Sequence, residues 1–276
     1  MQVEATRPPF DESEQMHTTK IPEPDWKPGQ GANHLNKDGL WSASSKTKEI
    51  DPSKEDKGKI YKMMIGAIVP RPIGFISTYS KTGETNLAPF SYFNQVSHDP
   101  PMVMVSFAHP SGGETLKGTA LNILDTQEFT ANIISEPFVE AANYTSVDAP
   151  HGVSEWGASG LTPVPSKLVK APRVGESAFS MECKLQHHYH VINDDGVRTH
   201  TVVLGRVVRF HVREDVIDNE SLLIDTSKLR AVSRLGGITY ARVTSTFEVP
   251  RPVWDKVKDD DAVKQAMAEG QAKAKV

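Results

Sequence analysis

A single cysteine, Cys183, stands in a chain of 276 residues. One thiol excludes an internal disulfide framework and every multi-cysteine zinc site. Long apolar runs are missing too, since none approaches the roughly 18–20 residues that a membrane-spanning helix needs. Neither sign of charge is in large excess: 31 Lys and Arg face 35 Asp and Glu, for a formal net charge of −4. That balance excludes a grip on nucleic acid built on phosphate neutralisation alone. The opening residues, Met1 to Gln15, carry acids where a signal peptide would carry a basic and then an apolar stretch. Together these absences lead us to expect a soluble, cytoplasmic protein with no membrane and no nucleic acid among its partners.

Several motifs are absent as well. There is no G-x-x-x-x-G-K-[ST] loop for nucleoside triphosphates and no G-x-G-x-x-G after a first strand, so neither common dinucleotide or triphosphate cradle is present. No G-x-S-x-G elbow presents a nucleophilic serine. His187-His188-Tyr189-His190 resembles a metal cluster at first sight. Strand alternation puts His188 and His190 on one face and His187 on the other, which favours a solvated or interface pair over a metal site. Cys183 falls on the inward face of the same alternating run and reads as a small apolar residue. No side chain is assigned as catalytic and none as a metal ligand.

Charge is unevenly spread. Residues 1–59 and 251–276 hold 31 charged side chains in 85 positions, against 35 in the 191 between them, so core-forming sequence lies in the middle. Residues 1–59, with six prolines and isolated Trp26 and Trp41, read as a disordered N-terminal arm. Residues 60–252 form the expected domain, and 253–276 a charged tail for which a helix is one reading.

Within the middle, Arg71–Tyr79 is a β-prone run, Lys81-Thr82-Gly83-Glu84 a turn, and Asn86–Ser91 its returning strand. Met102–Ala108, Phe129–Ser135, the alternating run from Phe179, Thr201–Val212 and Ile238–Phe247 read as further strands. Helices are expected at Glu114–Thr126 and Glu136–Ala142, and residues 145–175 as a long irregular excursion. Hairpin-linked strands outnumber helices, which favours a mainly β, antiparallel barrel with a few helices over a doubly wound sheet. The block Asn86-Leu87-Ala88-Pro89-Phe90-Ser91-Tyr92-Phe93-Asn94 mixes amide, hydroxyl and aromatic groups. It suits either a planar heteroaromatic ligand or a plain edge strand with its turn. Lys117 and Thr119, on the helix after the buried strand, suit a phosphate group or simply a solvated helix face.

These stretches resemble the flavin reductase-like family of FMN-binding split β-barrels. The likeness rests on Arg71–Thr78 with Gly83 and Asn86–Asn94, on Lys117-Gly118-Thr119-Ala120-Leu121-Asn122-Ile123, and on Arg234-Leu235-Gly236-Gly237 with Tyr240. The resemblance implies that Ser77, Thr78, Asn86, Leu87, Ala88, Pro89, Phe90 and Ser91 line the flavin, and that Tyr92 and Phe93 help to wall it. It implies that Ser106, Lys117 and Thr119 hold the ribityl phosphate, with Gly118 standing where the family has an aspartate. It further implies a homodimer and an oxidoreductase that accepts hydride from NADH or NADPH onto bound FMN. The alternative is a flavin-binding electron carrier or store with no pyridine-nucleotide activity.

Overall fold

Strands β1 (Gly74–Tyr79) and β2 (Thr85–Phe90) form a hairpin whose turn depends on Gly83, at φ +102°, where any side chain would be strained. Five more strands follow: β3 (Phe93–His98), β4 (Pro101–Ala108), β5 (Glu128–Ile133), β6 (Phe179–Ile192) and β7 (Arg198–Val212). They make one sheet in the order β2-β1-β5-β6-β7-β4-β3, antiparallel at every pairing. Among the described residues no ladder joins the outer strands β2 and β3, so the sheet is open rather than a closed barrel. This computed structural model describes residues 4–109, 116–150 and 153–273.

The chain divides into two compact units. One spans residues 56–243 and holds the sheet; the other joins residues 1–55 with 244–276. In the second unit His17–Thr19 pairs in parallel with Ser245–Phe247, and Asp261–Lys273 is helical. Trp26 donates its indole N–H to Gly31 O at 2.9 Å, and Asn36 brackets the main chain of Trp41. The expected strand Ile238–Phe247 is not continuous. Tyr240–Ala241 pairs with Ser233–Arg234, whereas Ser245–Phe247 pairs with His17–Thr19, so two different partners claim its ends.

Strand β1 is buried on both faces. Ile76 packs into a cluster with Val105, Phe107, Ile123, Phe129, Cys183 and Val203, while Phe75 packs on the opposite face with Leu87, Ile134, Phe138, Trp156 and Val174. This two-sided burial leaves even Ser77 and Thr78 without exposed surface. Gly205 on β7 faces the ring of Phe129, and a Cβ there would overlap the ring's Cζ and lie 2.7 Å from Cε1. Phe129 is fully buried and cannot swing away. Gly205→Ala should therefore lower stability by about 1–3 kcal/mol in urea unfolding, and Phe129→Leu in the same chain should recover part of the loss.

Three polar devices brace this unit. Helix α1 (Lys57–Ala67) starts on Asp56, whose carboxylate accepts from Lys59 N at 2.9 Å. Its far end is held by buried Arg71, which donates to the carbonyls of Ile65 (2.5 Å), Ile68 (2.8 Å) and Leu235 (2.8 Å). In the loop before β6, the successive N–H groups of Lys167, Leu168 and Val169 all donate to the fully buried carboxylate of Glu182. The next one, Lys170 N, donates to Glu128 at 2.6 Å.

Candidate functional site

The register of the first hairpin decides what β2 can present. Leu87 N donates to Glu155 Oε2 at 3.0 Å, so it points away from β1. Antiparallel alternation then turns the main-chain groups of Asn86, Ala88 and Phe90 toward β1, and those of Leu87 and Pro89 outward. Pro89 thus loses no ladder bond, which is the setting in which a strand tolerates proline. Side chains alternate in the same way. Leu87 is fully buried beside Phe75, whereas Asn86 and Phe90 share the face that meets helix α2 (Gly118–Thr126).

Two side-chain hydrogen bonds clamp α2 on the hairpin. Asn86 Nδ2 donates to Thr119 Oγ1 and Asn122 Nδ2 to Thr78 Oγ1, each at 3.0 Å. Thr119 and Asn122 lie three residues apart and therefore share one side of the helix. The clamp brings the helix start against β2. Lys117 is the N-cap residue in an extended conformation, with no side-chain cap bond and, among the described residues, no carboxylate partner. Part of the helix expected at Glu114–Thr126 lies outside the described residues.

A cavity of about 260 Å³ opens between these elements. Asn86, Ala88, Pro89 and Phe90 form one wall, Leu116 to Thr119 the second, and residues 145–150 with Glu155 the third. Burial pushes the Glu155 carboxyl above the usual carboxylate range, against the hydrogen bond from Leu87 N. A second cavity of about 130 Å³ adjoins it, sharing Pro89 and Ser146, and includes Ser91, Asn143, Arg234 and Tyr240.

Of the thirteen residues singled out from the sequence, Asn86, Ala88, Pro89, Phe90, Lys117 and Thr119 line the larger cavity. Ser91 lines the smaller one. Leu87 faces the core, and Ser77 and Thr78 are fully buried in β1, with Thr78 reaching the site only through Asn122. Phe93 lines a separate apolar cavity with Met102 and Phe210. Tyr92 sits beside His200, with ring centroids 6.0 Å apart, and Ser106 pairs with Val202 on the face opposite the core; neither lines either cavity. Glu155, Asp148 and Ser146 were not anticipated. They come from the long excursion, far from β2 in sequence, and no local pattern marks them.

The other candidates resolve simply. His188 and His190 share a face with ring centroids 5.2 Å apart, and the rings of His109 and His190 both meet the hydroxyl of Thr201, at 2.7 and 3.0 Å. Among the described residues no three His, Cys, Asp or Glu side chains are grouped to hold a metal ion. Cys183 is fully buried, and burial pushes its thiol far above the ordinary range, so no thiolate forms there. No helix is long and apolar enough to cross a membrane, among the described residues.

Comparison with known proteins matches this architecture. A family model described as "Flavin reductase like domain" covers residues 65–233. An uncharacterized protein of Aquifex aeolicus is 41% identical over 187 residues, covering 68% of this chain and 91% of its own. Nitrilotriacetate monooxygenase component B from Bacillus cereus superposes with a TM-score of 0.71 at 34% identity, covering 75% of this chain and all of its own. A split-barrel domain protein from Shewanella frigidimarina NCIMB 400 superposes at TM-score 0.62 and 22% identity over 72% of this chain and 96% of its own, a likeness of fold. With its sheet, its helix clamp and a family match across most of the larger unit, the chain belongs to the flavin reductase-like domain family.

Proposed function

We propose that this chain binds FMN in the larger cavity and acts as an oxidoreductase, taking hydride from NADH or NADPH and passing electrons to a further acceptor. The observation that carries this reading is the meeting, in one cavity, of a flat apolar wall with a cationic end. Ala88, Pro89 and Phe90 provide the wall; Lys117, Thr119 and the first turn of α2 provide the end. A helix start with a lysine and a hydroxyl suits a phosphate monoester, and the apolar wall suits an aromatic ring system, so the donor set fits a flavin mononucleotide. When bound, the flavin supplies the redox chemistry that no side chain of the site offers.

The roles of the protein groups follow from their contacts. Lys117 and the first-turn N–H groups hold the anionic end, and Asn86 fixes the Thr119 hydroxyl beside it. Glu155 keeps β2 in place through Leu87 N. Leu116, Phe90 and Val147 exclude water from the ring end. The likeness to a monooxygenase component supports a role in which electrons leave for another protein. A homodimer and a cytoplasmic setting belong to the same reading.

Flavin titration followed by fluorescence quenching tests the site. Lys117→Ala and Thr119→Val should each weaken FMN binding at least about tenfold, the scale of one lost charge-assisted hydrogen bond. Unchanged affinity in both variants overturns the site. With flavin bound, steady oxidation of NADH or NADPH is expected; its absence with both nucleotides would make the chain an electron carrier.

A further inference from the structure

We infer that the smaller cavity is a subsite for the carboxylate of a small organic acid, read by Arg234 beside the flavin cavity. This inference rests on the placement of flavin in the larger cavity. Arg234 is held in place before any ligand arrives. Its main chain exchanges two hydrogen bonds with Arg71, each 3.0 Å long. Its guanidinium lies over the Tyr240 ring, 4.5 Å from the centroid, and donates to Gly237 O at 2.7 Å and Ile238 O at 3.4 Å. Tyr240 is fixed in turn, its hydroxyl donating to Asn143 Oδ1 at 2.9 Å.

A guanidinium carries five N–H donors in a rigid fork, and the two carbonyls leave most of them unassigned. Among the described residues no carboxylate pairs with Arg234, although the acid-rich chain offers many. A pre-set cation on a cavity wall without a counter-ion is a receptor for an oxyanion. Among the described residues Arg234 is the one cation lining this space, so a single negative charge is matched and a phosphate dianion is not. The volume of about 130 Å³ gives room for roughly four waters' worth of ligand, too little for a dinucleotide. The hydroxyl of Ser91 adds a neutral polar contact, whereas that of Ser146 already donates to Asn143 O at 2.7 Å. Pro89 and Ser146 belong to both cavities, so the rest of the acid extends over Pro89 toward the place of the flavin ring.

The test uses the full chain loaded with FMN and titrated with benzoate, followed by the flavin difference spectrum and by calorimetry. Benzoate should bind and perturb the flavin absorbance, and neutral benzamide should not. Arg234→Gln should weaken benzoate at least about tenfold, with Arg234→Lys intermediate and FMN affinity unchanged in both. Thermal midpoints of both variants close to the parent's establish that they are folded. Equal benzoate binding by Arg234→Gln overturns the inference. So does Arg234-dependent binding of inorganic phosphate that is tighter than that of benzoate. Loss of FMN together with benzoate assigns Arg234 to the flavin site and overturns it too. If the parent chain takes up no FMN, the flavin reading fails, and calorimetry of benzoate against the flavin-free chain still decides the role of Arg234.

Discussion

Glu182→Leu should unfold with a loss of about 3–5 kcal/mol, the cost of breaking a buried charged network from one side. The carboxylate lies wholly inside β6 and accepts Lys167 N at 2.8 Å, Leu168 N at 2.5 Å and Val169 N at 3.1 Å. The ring of His211 meets its other side at 2.6 Å. Leucine removes every acceptor at once, and three consecutive main-chain N–H groups lose their partner in a place water does not reach. A fall in Tm of roughly 6–20 °C is expected for a unit of this size, with faster hydrogen exchange at residues 167–169. The same carboxylate should give the parent chain a distinctive acid limb. Burial pushes the Glu182 carboxyl up, but the N–H of Lys167, the His211 ring and the N–H of Leu168 outweigh it and hold it below the usual carboxylate range. A depressed acid stabilises the fold fully above its unfolded value, about 4.3, and loses that contribution as pH falls through the lower folded value. Urea midpoints of the parent should therefore drop more steeply below about pH 4 than those of Glu182→Leu. Parallel curves would show that the network is not charged.

Arg71→Met should cost about 3–4 kcal/mol, since each hydrogen bond from a charged donor is worth about 1.5–3 and the freed carbonyls recover part of that from water. Arg71 is buried, and its guanidinium joins three carbonyls from two distant segments, Ile65 and Ile68 at the end of α1 and Leu235 before the Gly236-Gly237 turn. A cation at the carbonyl end of a helix also interacts favourably with the helix dipole, and methionine loses that term. Arg71→Lys should recover less than half of the loss, because an ammonium cannot span three acceptors fixed by a planar fork. Hydrogen exchange should show α1 opening first in Arg71→Met while the β5–β6 ladder keeps its protection. Uniform loss of protection would mean that Arg71 acts on the sheet as a whole.

The hairpin, the buried strand and the antiparallel class were legible because each is written locally. Gly83 marks its turn, and β4 carries an apolar run broken only by Ser106, although it buries one face, Val103, Val105 and Phe107, and not both. Helix α1 was not legible: its sequence, KGKIYKMMIGA, buries only Ile65, so it has almost no apolar stripe to read. Strand β3 was not legible because it begins within the Asn86–Asn94 block, at Phe93, after a bend at Ser91-Tyr92 with no glycine to mark the break from β2. The site was half visible for a reason of geometry. Asn86, Ala88, Pro89 and Phe90 lie along the outermost strand β2 and border the cavity, while the side chain of Leu87 between them turns into the core beside Phe75. The third wall, around Ser146 and Glu155, could not be read at all. It depends on a contact spanning 68 positions, between Leu87 and Glu155.

That contact has a consequence beyond any ligand. β2 is an outermost strand of the sheet, and a bare outermost strand invites another extended chain to add to it, the first step of aggregation. The outward positions of β2 are Thr85, Leu87 and Pro89. The N–H of Leu87 is already occupied by Glu155, and Pro89 has none to give. An incoming strand would find a single donor where it needs three. The sheet is thereby sealed against growth on this side, while the side-chain face of the same strand stays open to small molecules.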